Sequence, residues 1–218
     1  MSDSRILTRW CADGVVHDVQ VDGAGGRLVV QAGDEGVRVC ELSESGKLSK
    51  ATPLEGTSVP ASGWLPEVAL HPHAPLAVVS CEDRPLMVFD LESGRKVTEF
   101  GEVRDSGPRR GFWAVAFSHD GEYVETHSLG PERGERYSWR SGELVGKRWG
   151  PGGLIARTPE DGVLAVCQVD DWTGAVHFGR WCGADFEWFE PMIHTIPVTR
   201  VRAAPNLLAL SGGTSRLH

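Results

Sequence analysis

Three short clusters in this sequence carry residue types that could do chemistry. His71-Pro72-His73 sets two imidazoles two positions apart and suggests a metal ion. Asp170-Asp171 sets two carboxylates side by side, as cation binding or acid–base work would need. Ser118-His119-Asp120 holds the residue types of a hydrolytic triad. Each weakens on closer reading. No third ligand accompanies the two histidines, so no metal is expected there. The aspartate pair reads as a hairpin turn with its carboxylates facing water. A triad needs side chains that converge, and adjacent positions in a tight turn cannot do so; Ser118-His119-Asp120 is expected to build the turn instead. A P-loop, an H-E-x-x-H helix and a G-x-S-x-G elbow are absent. The "GAGG" at 23–26 leads into no helical pattern, so it reads as a strand turn and not a dinucleotide loop. No catalytic residue, cofactor or metal is therefore expected.

Composition narrows the classes further. The chain has 218 residues and a net charge of −8, enough for one domain with a real core. An acidic balance disfavours nucleic acid, whose phosphates need clustered Lys and Arg. The segment after Glu190 carries Arg200, Arg202 and Arg216 without a carboxylate, and reads as a solvated strand face. No window reaches the ~18 apolar residues that a membrane helix needs. The N-terminal "MSDSRILTRW" lacks the apolar core of a secretory signal. Five cysteines with no C-x-x-C spacing point to buried thiols in a reducing cytoplasm. Arginine outnumbers lysine and asparagine occurs only at Asn206, a bias associated with high-GC bacterial genomes.

What would position any site is a repeat. The phrase "VAFSHDGEYV" at 115–124 is an alternating strand, a polar turn with Asp-Gly and a second strand. Related phrases begin at Val19, Val68, Val115, Ile155 and Val201, at spacings of 49, 47, 40 and 46 residues. A second phrase keeps step with the first. In "MVFDLESG", "YSWRSG" and "FGRWCG" an aromatic (Phe89, Tyr137, Phe178) stands five places before a glycine. Each repeat then reads as four short strands, a to d, with the second phrase on strand c. A four-stranded unit of ~40–50 residues is one blade of a β-propeller.

These phrases resemble WD-repeat blades, in which an alternating strand and a Ser-Pro-Asp-Gly-like turn precede a strand ending in Trp-Asp. Here the Trp position is filled by Cys40, Phe89, Tyr137 and Phe178, and only Asp90 supplies the Asp. The Gly-His pair that often precedes a family blade is absent. Asp34, Asp83 and Asp171 stand in the b–c turns, where the family often places an aspartate. The expected fold is an all-β propeller of four-stranded antiparallel blades in a single domain over 1–218. The blades span 15–56, 64–104, 111–150, 153–190, and 197–218 with 5–10. The last repeat stops short of its fourth strand, and "RILTRW" (Arg5 to Trp10) is placed to supply it. A ring left open would offer its edge to a second chain, making an oligomer or a complex subunit.

For function, the resemblance implies a non-catalytic scaffold that binds a protein partner. The candidate contacts are Trp64, Phe112 and Trp113 in the d–a connections, Trp172 in a b–c turn, and Arg109 and Arg110 in a d–a loop. Both loop classes share one face of such a ring. These aromatics either form a contact patch, since Trp is enriched at binding hot spots, or plug the channel mouth or pack between blades. Trp139, Trp181 and Trp188 are expected in or between blades. The alternative is a propeller enzyme, a hydrolase or lyase, using inward groups such as His17, Asp18, Glu67 and Thr199 at the channel mouth.

Overall fold

Turns rich in Gly, Pro, Ser and Asp cut this chain into short alternating segments, and the segments pair up and down. The computed structural model describes residues 16–22, 26–32, 35–43, 45, 47–49, 51–58, 66–102, 112–128, 133–149, 153–157, 163–169, 174–189, 192–194, 198–204 and 207–212. The first sheet joins β1 (Val16–Val21), β2 (Arg27–Ala32), β3 (Gly36–Glu41) and β4 (Thr52–Pro53). The second joins β5 (Glu67–Leu70), β6 (Leu76–Ser80), β7 (Leu86–Asp90) and β8 (Lys96–Phe100). The third joins β9 (Phe112–Phe117), β10 (Tyr123–Ser128), β11 (Arg133–Ser138) and β12 (Leu144–Trp149). The fourth joins β13 (Gly153–Arg157), β14 (Val163–Val169), β15 (Gly174–Cys182) and β16 (Asp185–Trp188), with β17 (Met192–His194) on the other half of β15. β18 (Val198–Ala204) and β19 (Leu207–Gly212) pair as a fifth. Every pairing is antiparallel. Among the described residues no helix is long and apolar enough to cross a membrane.

The core lies between successive sheets. Val29, Val37, Val39 and Leu54 of the first sheet side pack with Val68, Val79, Met87 and Phe89 of the second. The other face of the second sheet, through Val78, Leu86, Val88 and Phe100, packs with Val115, Phe117, Val124 and Tyr137 of the third. Period-two alternation explains this arrangement, since one strand feeds a different core with each of its faces. Phe89 and Tyr137 are both buried and both turn toward the preceding sheet. Phe178 breaks this pattern. Ile155 faces the third sheet, where it meets Ala114 and Ala116, and the strand register puts His177 in the same cross-strand row. Phe178, one residue on, therefore points the opposite way. Its spacing from Ile155 is 23, against 21 for Val68 to Phe89, but the register of the fourth sheet puts it out of phase with its own first strand. Gly179 takes the facing position, with the Phe186 ring laid over it.

The turns carry the polar residues that looked chemical in the sequence. Ser118 Oγ donates to Asp120 Oδ1 at 2.6 Å and accepts from the Tyr123 amide, while Asp120 accepts from the Glu122 amide. Burial pushes the Asp120 carboxyl up, but these donors more than offset it and hold it below the usual range. The cluster thus closes the turn between β9 and β10. Asp90 does the same between β7 and β8, accepting from the amides of Glu92 and Ser93 and from the Ser93 hydroxyl. The Ser93 amide, first among these, draws the Asp90 carboxyl down. Asp90→Ala is expected to cost about 1 kcal/mol, the net worth of a lost turn hydrogen bond. Because the folded carboxyl is the stronger acid, the wild-type advantage is present above the unfolded value of 3.8 and fades as pH falls through the folded one. Urea melts of both proteins at neutral and acid pH check this; an equal gap at both would refute the assignment.

Two expectations need correction. Phe112 and Trp113 do not lie in a d–a loop: β9 begins at Phe112, which pairs with Ser128 across a bulge. The run of apolar residues from Phe112 to Phe117 continues the ladder further back than the alternation from Val115 indicated. Of the cysteines expected to be buried, Cys40 and Cys81 are, and burial pushes the Cys81 thiol up to about 11. Cys182 is exposed at the end of β15, in the hairpin to β16. The closing segment 5–10, Asp34 and the Asp170-Asp171 pair lie outside the described residues.

Candidate interaction site at the seam of the third and fourth sheets

The strand registers place an unusual set of residues on the face of the third sheet that meets the fourth. One cross-strand row runs Ala116, Glu125, Arg136, Gly146; the next runs Ala114, His127, Gly134, Arg148. Two alanines and two glycines would otherwise leave a gap here, and long side chains fill it. A Cβ on Gly134 would lie 2.1 Å from Arg148 Nε, so only glycine lets that guanidinium lie flat on β11. Gly146 likewise makes room for the Trp181 ring from the fourth sheet.

The result is a buried charge cluster roofed by aromatics. Glu125 is fully buried, with Oε1 3.2 Å from Arg136 Nε. Arg136 is stacked between rings, its Cζ 3.9 Å from the Tyr123 centroid and 5.4 Å from that of Trp181. Arg148, also buried, lies 5.7 Å from the Phe186 ring and 5.6 Å from Trp188. Burial pushes the Glu125 carboxyl up to about 8, against the pull of Arg136 and Arg148. Burial draws Arg148 down to about 10, and lowers His177 of β15 as well. Such groups brace two sheets at the cost of their hydration, and none of them is open to a substrate.

The cluster reaches the surface through one bond. Trp188 Nε1 donates to the Trp149 carbonyl at 2.8 Å, joining the outer strands of the two sheets. Trp149 itself is 59 % exposed, the most exposed large apolar side chain among the described residues. Phe189, 36 % exposed, is held by its amide to the Phe178 carbonyl, with Arg180 5.7 Å from its ring. Arg180 pairs with Glu187 at 3.2 Å on the same surface. An exposed indole on a pinned backbone offers a fixed apolar face with an electron-rich ring to its surroundings.

The residues singled out in the sequence fare differently. Trp64, Arg109, Arg110 and Trp172 lie outside the described residues, and of Phe112 and Trp113 only the backbone is described, within β9. Trp139 is buried, its indole donating to the Gly121 carbonyl at 2.8 Å, and Trp181 and Trp188 sit half-buried between sheets as expected. Asp18 accepts from Gln20, whose amide also donates to the Val68 carbonyl and ties β1 to β5. His71 is spent on structure. Its Nδ1 accepts from the amides of His73 and Ala74, so Nε2 carries the proton and donates to the Gly121 carbonyl. Burial lowers its pKa, which keeps the ring neutral. With both nitrogens committed it has no lone pair for a metal. Among the described residues no group of three or more His, Cys, Asp or Glu could hold a metal ion. The cleft beside it, about 410 Å³, is lined by Asp22, Arg27 and Glu92, and Arg27 is already held by both carboxylates.

Trp149, Phe189, Glu125, Arg136 and Arg148 were not anticipated. One signal was legible: in "LVGKRW" a tryptophan falls in phase with Lys147, on the water-facing side of a strand. The charge cluster had none, because it depends on the register between strands.

With this geometry in hand, the comparisons with known proteins are consistent. No family model matches the chain, and no curated protein matches it significantly. Solved structures do. Hydrazine synthase of Kuenenia stuttgartiensis superposes with a TM-score of 0.60 at 15% identity, over 84% of this chain and 50% of that one. U3-55K superposes with a TM-score of 0.61 at 12% identity, over 95% of this chain and 77% of that one. The chain thus spans about half the length of the first. Both are β-propeller proteins, and the fold of this chain is a β-propeller built of four-stranded antiparallel blades.

Proposed function

We propose that the chain is a non-catalytic interaction module, a rigid propeller that binds a protein partner in the cytoplasm as part of a larger complex. The observation that carries this reading is Trp149, widely exposed while its own carbonyl is fixed by Trp188. A large ring on an already ordered backbone loses little entropy on binding, which is how a scaffold gains affinity from few contacts. The likeness of its phrases to WD-repeat blades and the structural likeness to U3-55K support the same reading. Trp64, Arg109, Arg110 and Trp172 remain further contact candidates in this proposal.

Truncating an anchoring tryptophan costs about 2 kcal/mol of binding, roughly 30-fold in affinity. The tagged chain and its Trp149→Ala variant, expressed in the native host, are compared for stoichiometric co-purifying proteins. The expected result is a partner retained by the wild type and lost from the variant, with an unchanged melting temperature. Equal recovery by both would remove Trp149 from the interface, and no stoichiometric partner for either would refute the reading.

A further inference from the structure

At the seam, a buried acid feels the charge of Arg148, Arg148 lies near the Trp188 ring, and Trp188 bonds the carbonyl of the exposed Trp149. We propose that this seam is a protonation-controlled joint: the charge state of Glu125 sets how Arg148 is held beneath Trp188, and Trp188 passes that change to Trp149. As a regulation of binding, the proposal rests on the interaction reading above.

The geometry carries it. Glu125 is 1 % exposed in the middle of β10, and only half of its carboxyl is served. Oε1 faces Arg136, whereas Oε2 has no hydrogen-bond partner in the structure. An ionised carboxylate with one bare oxygen in a dry seam is costly, and a proton on that oxygen removes the cost. The described charged and titratable side chains facing it are Arg136 from β11, Arg148 from β12, His127 from β10 itself and His177 from β15, with Asp120 acting from the turn before β10. Its cross-strand neighbour on β9 is Ala116, which clusters with Ala114, Ile155 and Trp188 at the same seam, all without charge. The Trp181 indole on β15 acts on the same carboxyl and favours its charged form, yet its N–H makes no hydrogen bond of normal geometry, so Oε2 stays bare.

The direction follows from the acid's raised pKa. Below about 8 the folded protein holds Glu125 neutral, and Arg148 rests near the Phe186 and Trp188 rings. As pH rises through that value the proton passes to solvent and an anion appears between two guanidiniums. The attraction draws Arg148 toward β10 and away from the Trp188 face. Trp188 is bonded to the Trp149 carbonyl, so the strand carrying the anchor follows.

The test uses the free, isotope-labelled full chain and nuclear magnetic resonance from about pH 6 to about pH 10. The expected result is that the Trp188 indole N–H and the Trp149 amide shift together, with one midpoint near 8. Both responses disappear in Glu125→Gln. In Arg148→Gln the Trp181 indole still titrates and the Trp188 indole does not. A Trp188 resonance that ignores pH overturns the joint, as does an unchanged titration in Glu125→Gln. Should that variant not fold, Arg148→Gln decides alone, and a surviving Trp188 response there overturns the relay. Because the readout needs no partner, a chain that recovers no stoichiometric partner in the native host would sink the interaction reading and leave the joint standing.

Discussion

Replacing Phe89 with alanine is expected to destabilise the fold by about 3–5 kcal/mol, the range for a buried aromatic truncated in a core that cannot collapse around the gap. Phe89 has no exposed surface, and it lies where two sheets meet. Val29, Val37, Val39 and Leu54 approach it from the first sheet, and Ala77, Val79 and Met87 from its own. These neighbours are β-branched or anchored in ladders, so their backbones hold the cavity open. The loss is a large share of a typical domain stability of about 5–15 kcal/mol. Denaturant melts followed by circular dichroism and by tryptophan fluorescence check the size of the effect. A change under about 1 kcal/mol would mean that the two sheets do not share this core.

Gly121→Val is expected to cost about 3 kcal/mol, from two sources. Gly121 has φ of 76°, in the left-handed region where a side-chain-bearing residue loses about 1–2 kcal/mol. A Cβ there would also stand 2.3 Å from the His71 imidazole. That ring cannot step aside freely, because it accepts from two amides and donates to the Gly121 carbonyl. Displacing it leaves two part-buried amides without their acceptor, at about 1 kcal/mol or more. His71 also rests edge-on to Phe117, 4.9 Å between centroids, so the second and third sheets loosen together. Gly121→Ala keeps the strain and the clash with a smaller group and should fall between. Thermal melts rank the three proteins, and a valine variant as stable as wild type would refute the latch between these turns.

Much of this was legible in the chain itself. The spacing of Val19, Val68, Val115, Ile155 and Val201 marks the first strand of each sheet, and β1, β5, β9, β13 and β18 each contain one of them. Asp-Gly and Ser-Gly turns mark the hairpins because Asp side chains cap neighbouring amides and glycine accepts positive φ. Ser118, Asp120 and Asp90 do this where the sequence put them. The candidate site was less legible. Trp64, Arg109, Arg110 and Trp172 were chosen for their loops, and the anchor the described structure offers, Trp149, ends a strand.

The sequence by itself determined the strand order, the turn chemistry and the repeat, since each depends on residues a few positions apart. Only the tertiary structure decided which faces meet. Phe178 repeats the phrase of Phe89 yet points the other way, because one residue of register inverts a strand. Glu125, Arg136 and Arg148 lie on three strands, up to 23 positions apart, and meet Trp181 and Trp188 of a fourth and fifth. Their proximity is set by pairing and packing between sheets, which no local pattern encodes. That is why a buried acid and an exposed tryptophan come to lie at one seam only in the folded chain.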